Sequence, residues 1–528
     1  MTASTIQGRA TSDMRCTSVT ASRFTPGTFA IASKPRLTPT DEADGTVWGF
    51  LRSDDWGATW SVVSTSVNDT DPDPTLERRA GGQGYDWNNC IAVSPIHPNI
   101  VLVGWQYGPF YSSDRGQTWI QWGHRHRPSE HLHADVHSLR FDLKDSLGKT
   151  VLIASDGGVV VTSDLGISFL STYNRRFPSL QCYTTDGRRQ SGGTLGVSYD
   201  VDGLIAAGLQ DNGNVWCVVR DPEPTPWEKI DGSDGGLASF TRERQMLRNR
   251  GLIGPVPIYR AEWDNEQQRI VERDIIPITR LRPGGSAGEE GLKSALAAIV
   301  NDPINVDIFG AKIYAIGWSG SDVYAFFNPT GFAGWRWEFI GSPTLAGNEM
   351  IAAGGSANSN VIYLGTGTFD STTGRIFRMD RQTGNAVAQT IVNPTPRFGI
   401  NRLCVVSDTS AFALYNDWTG NTNRGRILRL EGTQWSQVPG RLVGGGSLPD
   451  EVFYAIDADW TVSPRTLFAC TDSRVYVSRD NGDTWSDDSS GLPRRAHLAD
   501  LRFVLNNARQ RFLFLSTFGR SVWVSPVS

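Results

Sequence analysis

The amino-acid sequence predicts an all-β protein, a single large ring built from four-stranded antiparallel sheets. Three observations support this fold. An eight-residue motif recurs along the chain, short apolar runs alternate with turn residues throughout, and 56 glycines and 27 prolines are scattered among those runs. Many short strands separated by turn signals, combined with an internal repeat, are typical of all-β repeat proteins.

The repeated motif is Ser-x-Asp-x-Gly-x-Thr-Trp. Full copies begin at Ser53, Ser112 and Ser478, and a more divergent copy runs from Thr162 to Phe169. Each copy lies between two short strand-like runs, so we expect it to form a hairpin turn. The Asp can accept hydrogen bonds from turn amides, the Gly can adopt a positive φ, and the Trp can pack beneath the turn. A structural role is therefore predicted for the motif carboxylates, which are Asp55, Asp114, Asp164 and Asp480.

The spacing of the motif predicts how many sheets the chain forms. Successive copies in the N-terminal part lie roughly 50–60 residues apart, the length of one four-stranded unit with its loops. Applied to the whole chain, this spacing and the strand-like runs predict ten sheets, at 17–63, 88–122, 136–172, 182–230, 233–275, 305–340, 349–392, 402–438, 452–487 and 499–525. The last sheet lacks one strand, and a strand from residues 1–16 would complete it and close the ring. Two smaller rings are the alternative. Only 286–300 is predicted to be helical.

The motif resembles the Asp-box, or BNR repeat, of sialidases, sortilin-type receptors and family-74 glycoside hydrolases. The segments His-x-Asp-x-His at 133–137, Ser-Asp-Gly-Gly at 155–158, Gly-Leu-Gln-Asp-Asn-Gly at 208–213 and Gly-Ser-Asp-Gly-Gly at 232–236 also resemble bacterial sialidase-like and glycosyl-hydrolase-like repeat proteins. These resemblances imply a β-propeller, and the sortilin type offers a ten-bladed precedent. True sialidase activity is not expected, because neither its arginine triad nor its Tyr–Glu pair can be assigned. The chain is also too short for the two seven-bladed rings of family 74.

Composition excludes several partners. The formal net charge is −5 and there is no basic run, so we expect no nucleic-acid partner. No apolar stretch of about 18 residues is present, so no membrane span is predicted. The first residues lack the apolar core of a signal peptide, and we expect an extracellular or cell-surface location if a leader has been removed. The six cysteines contain no Cys-x-x-Cys pair, which favours buried thiols over a zinc site.

The topology of such sheets predicts which end carries the chemistry. The repeated motif would occupy the turn between the third and fourth strands, so the start of the first strand and the end of the second lie at the opposite end. Asp156, Asp211 and Asp234 fall there and are the candidate catalytic residues. A glycosidase needs two carboxylates roughly 5–10 Å apart. Each of the three would equally serve to cap a tight glycine turn.

The same end carries candidate ligand-binding and metal-binding residues. Aromatic rings can stack on sugars, and amides can hydrogen-bond to them. The predicted ligand-binding residues are Trp87, Trp105, Tyr107, Gln210, Asn212 and Trp418. His133, Asp135 and His137 alternate as on one face of a strand and could hold a divalent metal together with Asp156, although a hydrogen-bonded polar lining is the preferred interpretation. No other cofactor is expected.

Three functions are compatible with this pattern. The favoured one is a ligand-binding β-propeller that recognises a glycan or a protein on the face opposite the Asp-boxes. The second is a glycoside hydrolase that acts on a polysaccharide through an Asp pair. The third is a structural scaffold, and the fold alone does not choose among them.

Overall fold

The fold is described from a computed structural model. The residues that it describes are 5–6, 9–10, 15–21, 28–33, 47–64, 89–105, 108–122, 132–171, 174, 180–187, 204–218, 226–232, 234–242, 245–250, 258–264, 266–267, 269–275, 278–280, 294–299, 313–319, 321–327, 336–345, 349–355, 360–367, 374–392, 399–416, 425–505 and 510–527. Every regular element in this part of the chain is a β-strand. Nothing in it forms a helix of the length and apolarity needed to cross a membrane. The all-β class predicted from the sequence is thus confirmed.

The chain forms two compact units, Met1–Phe177 and Pro178–Ser528. The strands of the first unit are β1 Thr5–Ile6, β2 Arg9–Ala10, β3 Arg15–Ala21, β4 Thr28–Ser33, β5 Val47–Ser53, β6 Ser61–Ser64, β7 Cys90–Val93, β8 Val101–Trp105, β9 Gly108–Ser112, β10 Ile120–Gln121, β11 Val136–Phe141, β12 Val151–Ser155 and β13 Gly158–Thr162.

The strands of the second unit are β14 Cys182–Gly187, β15 Leu204–Leu209, β16 Gly213–Val218, β17 Glu228–Lys229, β18 Gly235–Arg242, β19 Gln245–Arg250, β20 Ile258–Asp264, β21 Arg269–Ile275, β22 Ile278–Arg280, β23 Ser294–Ile299, β24 Ile313–Ser319, β25 Asp322–Phe327, β26 Arg336–Gly341, β27 Glu349–Gly355, β28 Val361–Gly367, β29 Ile376–Asp380, β30 Ala386–Ala388, β31 Thr390–Ile391, β32 Gly399–Ser407, β33 Ser410–Asn416, β34 Gly425–Glu431, β35 Gln434–Gln437, β36 Arg441–Leu442, β37 Phe453–Asp459, β38 Thr466–Thr471, β39 Val475–Ser478, β40 Thr484–Asp487, β41 Leu498–Leu505, β42 Arg511–Thr517 and β43 Val522–Pro526.

The first unit contains three sheets and a hairpin among its described residues. The sheets are β3–β6, β7–β10 and β11–β13, each an antiparallel meander in chain order, and β1 pairs with β2. The first strand of each sheet contacts that of the next, β3 with β7 and β7 with β11. Side chains such as Phe29, Phe50 and Trp119 are buried between neighbouring sheets. Burial of each large apolar side chain stabilises the stack by about 1.5–3 kcal/mol.

Over its described residues, the second unit contains seven such sheets, whose first strands are β14, β18, β23, β27, β32, β37 and β41. Each sheet contacts the next one along the chain. In three of them the incoming chain adds a short parallel strand to the outer edge, as β22 beside β26, β31 beside β35 and β36 beside β40. These additions cover edges that would otherwise be free to pair with other chains.

The second unit closes on itself, because its first sheet contacts its last one. β14 lies against β41 and β42. Ile205 and Cys217 of the first sheet form one apolar cluster with Val504 and Phe514 of the last. The backbone continues the contact, since the amides of Gly519 and Ser521 both donate to the Leu180 carbonyl at 3.1 Å. Successive meanders with last-to-first contact are the arrangement of a β-propeller.

Of two details of the predicted architecture, one is not confirmed and the other is wrong. The single ten-bladed ring and its closure by an N-terminal strand are not confirmed, because the closing contact joins two sheets of Pro178–Ser528 and β1 pairs with β2. The helix predicted at 286–300 is wrong over its described part, which is β23, paired with β24. The run Ser294-Ala-Leu-Ala-Ala-Ile299 favours a helix locally, but tertiary context places it as the first strand of a sheet.

Candidate functional site

The four repeated motifs form hairpin turns with a shared hydrogen-bond pattern. In the turn that ends β9, Asp114 accepts hydrogen bonds from the Thr118 amide at 2.9 Å and the Ser112 hydroxyl at 2.8 Å, and the Gly116 amide donates to the Ser112 hydroxyl at 2.7 Å. The corresponding bonds to the motif Asp recur in the turns at Asp55, Asp164 and Asp480. Each motif carboxylate is therefore satisfied by its own turn.

The glycine of each motif has a positive φ, and three of these glycines lie close to a side chain of the preceding sheet. A Cβ at Gly482 would lie 3.0 Å from Val438 Cγ1. A Cβ at Gly116, where φ is +88°, would lie 2.2 Å from the Phe50 ring. At Gly166 it would lie 2.5 Å from the Trp122 ring. At Gly57 the nearest atom, in Trp60, is 3.7 Å away. The turns at Gly116 and Gly166 thus need glycine for close packing between sheets as well as for backbone conformation.

The turns also keep their carboxylates ionised. Hydrogen bonds from the side chain and amide of Thr59 hold the pKa of Asp55 at about 2. Burial opposes ionisation of Asp114, Asp164 and Asp480, but the turn hydrogen bonds outweigh it, so the pKa of each lies below its ordinary value. A carboxylate held in this way is a structural acceptor and a poor proton donor near neutral pH.

The opposite end of the sheets carries a different repeated feature. In nine of the ten first strands, the pairing with the second strand shifts register near the strand start. In seven of these the shift skips a single residue, which gives a β-bulge. The bulged residues are Thr17, His137, Tyr183, Ile351, Asn401, Tyr454 and Ala499. A bulge changes the direction of a side chain and is frequent beside binding and active sites.

Five of the bulged side chains are at least partly exposed. Tyr183 lies between buried Cys182 and Thr184 and is itself only half-buried. Tyr454, Ala499 and Asn401 are also half-buried, and His137 is exposed. One backbone feature therefore presents a side chain towards solvent from each of these five sheets.

In the first unit, His137 contacts the candidate Asp156. Its Nε2 lies 2.7 Å from Asp156 Oδ1. The predicted shared strand face is wrong, because β11 begins only at Val136 and Asp135 has a φ of +58°. His133 instead packs over Gly157. Among the described residues, no group of three His, Cys, Asp or Glu side chains could hold a metal ion, so His133, Asp135 and His137 form no such set.

In the second unit, the candidates Asp211 and Asp234 come together. Asp234 follows the turn before β18, and its Oδ1 accepts the Asp211 amide at 2.9 Å. Asp211 has a φ of +58°, which this hydrogen bond helps to hold. Both carboxylates lie near the bulged Tyr183, since burial and the charges of Asp234 and Asp211 together raise the pKa of Tyr183 to about 12.

Contacts extend from Tyr183 across the closure of the second unit. Its ring centroid lies 5.7 Å from that of Phe518, which is 37% exposed. The Phe518 amide donates to the His497 carbonyl at 2.7 Å, and His497 Nδ1 lies 3.0 Å from Asp472 Oδ1. Burial raises the pKa of Tyr454, and the Asp472 charge adds to the effect.

These side chains form one continuous arc at the motif-free end of four sheets. We call it the bulge arc, and it consists of Tyr183, Asp211, Asp234, Tyr454, Asp472, His497, Ala499 and Phe518. The sequence pointed to Asp211 and Asp234. It did not point to the others, because their proximity depends on the bulges and on the closing contact of the second unit.

The remaining candidates divide into three groups. Trp105 is wrong as a ligand platform, because it is only 2% exposed and packs against Phe110. Gln210 and Asn212 belong to the turn after β15, where Asn212 Nδ2 donates to the Gln210 carbonyl at 3.0 Å. The last group, Trp87, Tyr107 and Trp418, lies outside the described residues.

The described cysteines lie in the cores of the sheets. Cys90, Cys182, Cys217, Cys404 and Cys470 are buried and unpaired with one another. Burial raises the pKa of Cys90, Cys217 and Cys470 to about 12, so these thiols stay protonated. They are core side chains rather than nucleophiles.

Comparisons with known proteins place few limits on function. No family model matches the chain, and no curated protein matches it. A solved structure titled "YCF48 bound to D1 peptide" is similar over 67% of this chain and 93% of that chain, at 13% sequence identity and a TM-score of 0.37. The relation to the Asp-box families therefore remains a prediction from the motif.

Proposed function

We propose that the chain is a binding protein whose ligand, a glycan or a protein, occupies the bulge arc of Pro178–Ser528. The observation that carries this proposal is the bulge at the start of successive first strands. It repeats the same backbone geometry, yet it offers Tyr183 and Tyr454 from two sheets and Ala499 from a third. A constant backbone with variable, partly exposed side chains suits recognition, because each side chain can change without disturbing the sheet.

The aromatic content of the arc supports binding. Phe518 keeps more than a third of its surface exposed beside half-buried Tyr183. Aromatic side chains contribute large contact areas and are enriched at the energetic centres of interfaces. Asp211 and Asp234 lie near Tyr183, and Asp472 pairs with His497. These carboxylates would fix the orientation of a polar ligand.

Binding is favoured over glycoside hydrolysis by what the candidate carboxylates already do. Asp234 holds the Asp211 turn through its hydrogen bond, and Asp156 contacts His137 within its own sheet in the other unit. Capping of a tight turn is the alternative role that the sequence predicts for each Asp, and it accounts for Asp234. Hydrolysis would need one carboxyl group to donate a proton and another to attack or activate water.

The test is a binding screen against a polysaccharide panel and a peptide library, with reducing-end release measured in parallel. Wild type should bind a ligand saturably without releasing reducing ends, and the Tyr183→Ala/Phe518→Ala variant should lose that binding. Trp56→Asn removes an aromatic ring that is 62% exposed on a motif turn and is the matched control, since Asn tolerates the positive φ there. Binding retained by the double variant would contradict the site. Release abolished by Asp211→Asn would favour the hydrolase.

A further inference from the structure

The third strands of the last two sheets are nearly identical in sequence but differ in burial. β39 reads Val475-Tyr-Val-Ser478, and β43 begins Val522-Trp-Val-Ser525. All four residues of β39 are buried, and β40 pairs along its outer side. In β43, Trp523 is 37% exposed and Val524 is 39% exposed. The sequence of β43 is therefore one that this chain buries where a fourth strand is present.

The backbone of β43 directs hydrogen-bonding groups away from its sheet. The Val527 amide donates to the Arg511 carbonyl of β42, so alternate residues of β43 bond inwards. Val522 and Val524 lie at the intervening positions, and their N–H and C=O groups point outwards. Pro526 occupies the next outward position, where the lack of an N–H removes no bond to β42. Among the described residues, no strand pairs with this outer edge.

The outer edge of β43 carries none of the features that usually protect an exposed edge. Proteins protect such edges with charged side chains, bulges or a covering segment. No charged residue occurs from Val522 to Ser525, and the pairing of β43 with β42 has no register shift. Elsewhere in the second unit the chain covers outer edges itself, as with β36 beside β40. A regular, apolar and open edge can accept one more strand.

The neighbouring sheets favour a single extended segment over a second folded copy of the chain. The last sheet contacts the sheet that begins at β37 on one side and the sheet that begins at β14 on the other. The first of these has two strands beyond its third strand, and the second has one. Because neighbouring strands lie about 4.8 Å apart, β43 is recessed by at least one strand width. β43 of a second copy would be recessed equally, so the two edges could not meet.

We infer that β43 binds an extended segment of a partner protein, which adds to the last sheet as an antiparallel fourth strand. The fourth strand β40 is antiparallel to β39, and their register places Trp485 opposite Ser478. Trp485, like Trp119 and Trp435 of other sheets, is almost fully buried. The partner segment would therefore place an aromatic side chain opposite Ser525. This surface shares no residue with the bulge arc, so it goes beyond the proposed function.

The test is selection of random 12-residue peptides displayed on phage against the full chain, after depletion of the library on the Val524→Pro variant. This substitution removes an outward N–H and places a ring on the edge, while the inward bonds of β43 remain. Recovered peptides should contain an aromatic residue and should bind Val524→Pro about tenfold or more weakly than wild type. Ala388→Pro introduces proline at an outward position of β30, the fourth strand of a complete sheet, and should leave the affinity unchanged.

N-methylation of a recovered peptide gives a second readout that does not depend on the folding of a variant. Methylation of the amides that face β43 should abolish binding, and methylation of the intervening amides should leave it unchanged, so the sensitivity should alternate along the peptide. Sensitivity without alternation would overturn the inference, and so would a library from which no peptide is recovered after depletion. Peptides that lose binding in Tyr183→Ala/Phe518→Ala but not in Val524→Pro would support the bulge arc and contradict a site at β43.

Discussion

The two ends of the sheets use repetition in opposite ways. At the motif end, the same residues recur in the same geometry, and each Asp is consumed by hydrogen bonds within its own turn. At the bulge end, only the backbone recurs, while the side chain changes from His137 to Tyr183, Asn401 and Tyr454. Repetition of side chains marks a structural requirement, and repetition of backbone alone marks positions that are free to specialise.

The largest expected effect is at a motif glycine. Gly116→Ala would place a methyl group against the Phe50 ring at a positive φ. We expect it to lower the free energy of unfolding by about 2–5 kcal/mol, from backbone strain and overpacking together. Gly57→Ala causes the same backbone strain, but the atom nearest to the added methyl group is 3.7 Å away. It should therefore lower the free energy of unfolding by only about 1–2 kcal/mol. Denaturant titration measures the free energy of unfolding of both variants. Equal losses would show that the glycine of the motif is not required for close packing between sheets.

The next largest effect is the loss of a carboxylate, and we expect it to differ between the two ends of the first unit. Asp114→Ala removes the acceptor of the Thr118, Gln117 and Ser112 hydrogen bonds and should cost about 1–3 kcal/mol. Asp156→Ala removes a pairing with exposed His137 and should cost at most about 1 kcal/mol. Chemical denaturation measures the free energy of unfolding of the two variants. A larger loss for Asp156→Ala would contradict a structural role for the motif end and a variable role for the opposite end.

The fold class could be predicted because strand length, turn residues and the motif are local properties of the chain. The grouping of strands into sheets follows the same local signals, such as the run Val475-Tyr476-Val477 before a motif turn. Closure within Pro178–Ser528 could not be predicted, because the apolar cluster that contains Ile205 and Val504 joins residues far apart in sequence. The N-terminal strand was expected to close the ring only because the last sheet lacks a fourth strand.

The candidate site could be predicted only in part, because some of its residues have a local signal in the sequence and others do not. Asp211 and Asp234 stand out as Asp-Asn-Gly and Ser-Asp-Gly turns. Tyr183, Phe518 and His497 carry no local signal, since a bulge is not visible in a single sequence. The prediction for Trp105 is wrong because the alternation of side chains along a strand does not show which face is exposed to solvent. The structure buries the Trp105 ring.

A pH titration sharpens the comparison through the motif carboxylates. Their pKa values are lowered in the folded chain, to about 2 for Asp55, against about 3.9 for an unfolded Asp. The stability they contribute is thus fully present above pH ~4 and is lost as the pH falls through the folded pKa values. We expect the thermal midpoint to fall steeply between pH ~4 and ~2. Asp114→Asn/Asp164→Asn/Asp480→Asn should flatten that slope, and an unchanged slope would contradict the role of these turns.

The smallest expected effect is at a bulged position. Ala499→Ser changes a half-buried side chain in the bulge at the start of β41 without altering its backbone requirements. The free energy of unfolding should stay within about 0.5 kcal/mol of wild type. A loss above 2 kcal/mol in denaturant titration would show that bulge side chains are fixed by packing.

One sheet of the second unit carries both kinds of carboxylate, one at each end. Asp472 belongs to the bulge arc and Asp480 to the motif turn that follows β39. The measurement is the affinity of Asp472→Asn and Asp480→Asn for the ligand that the binding screen identifies, with denaturant unfolding of each. Asp472→Asn should weaken binding several-fold at unchanged stability, and Asp480→Asn should lower stability at unchanged affinity. The reverse pattern, or two variants that behave alike, would contradict the division of roles between the two ends.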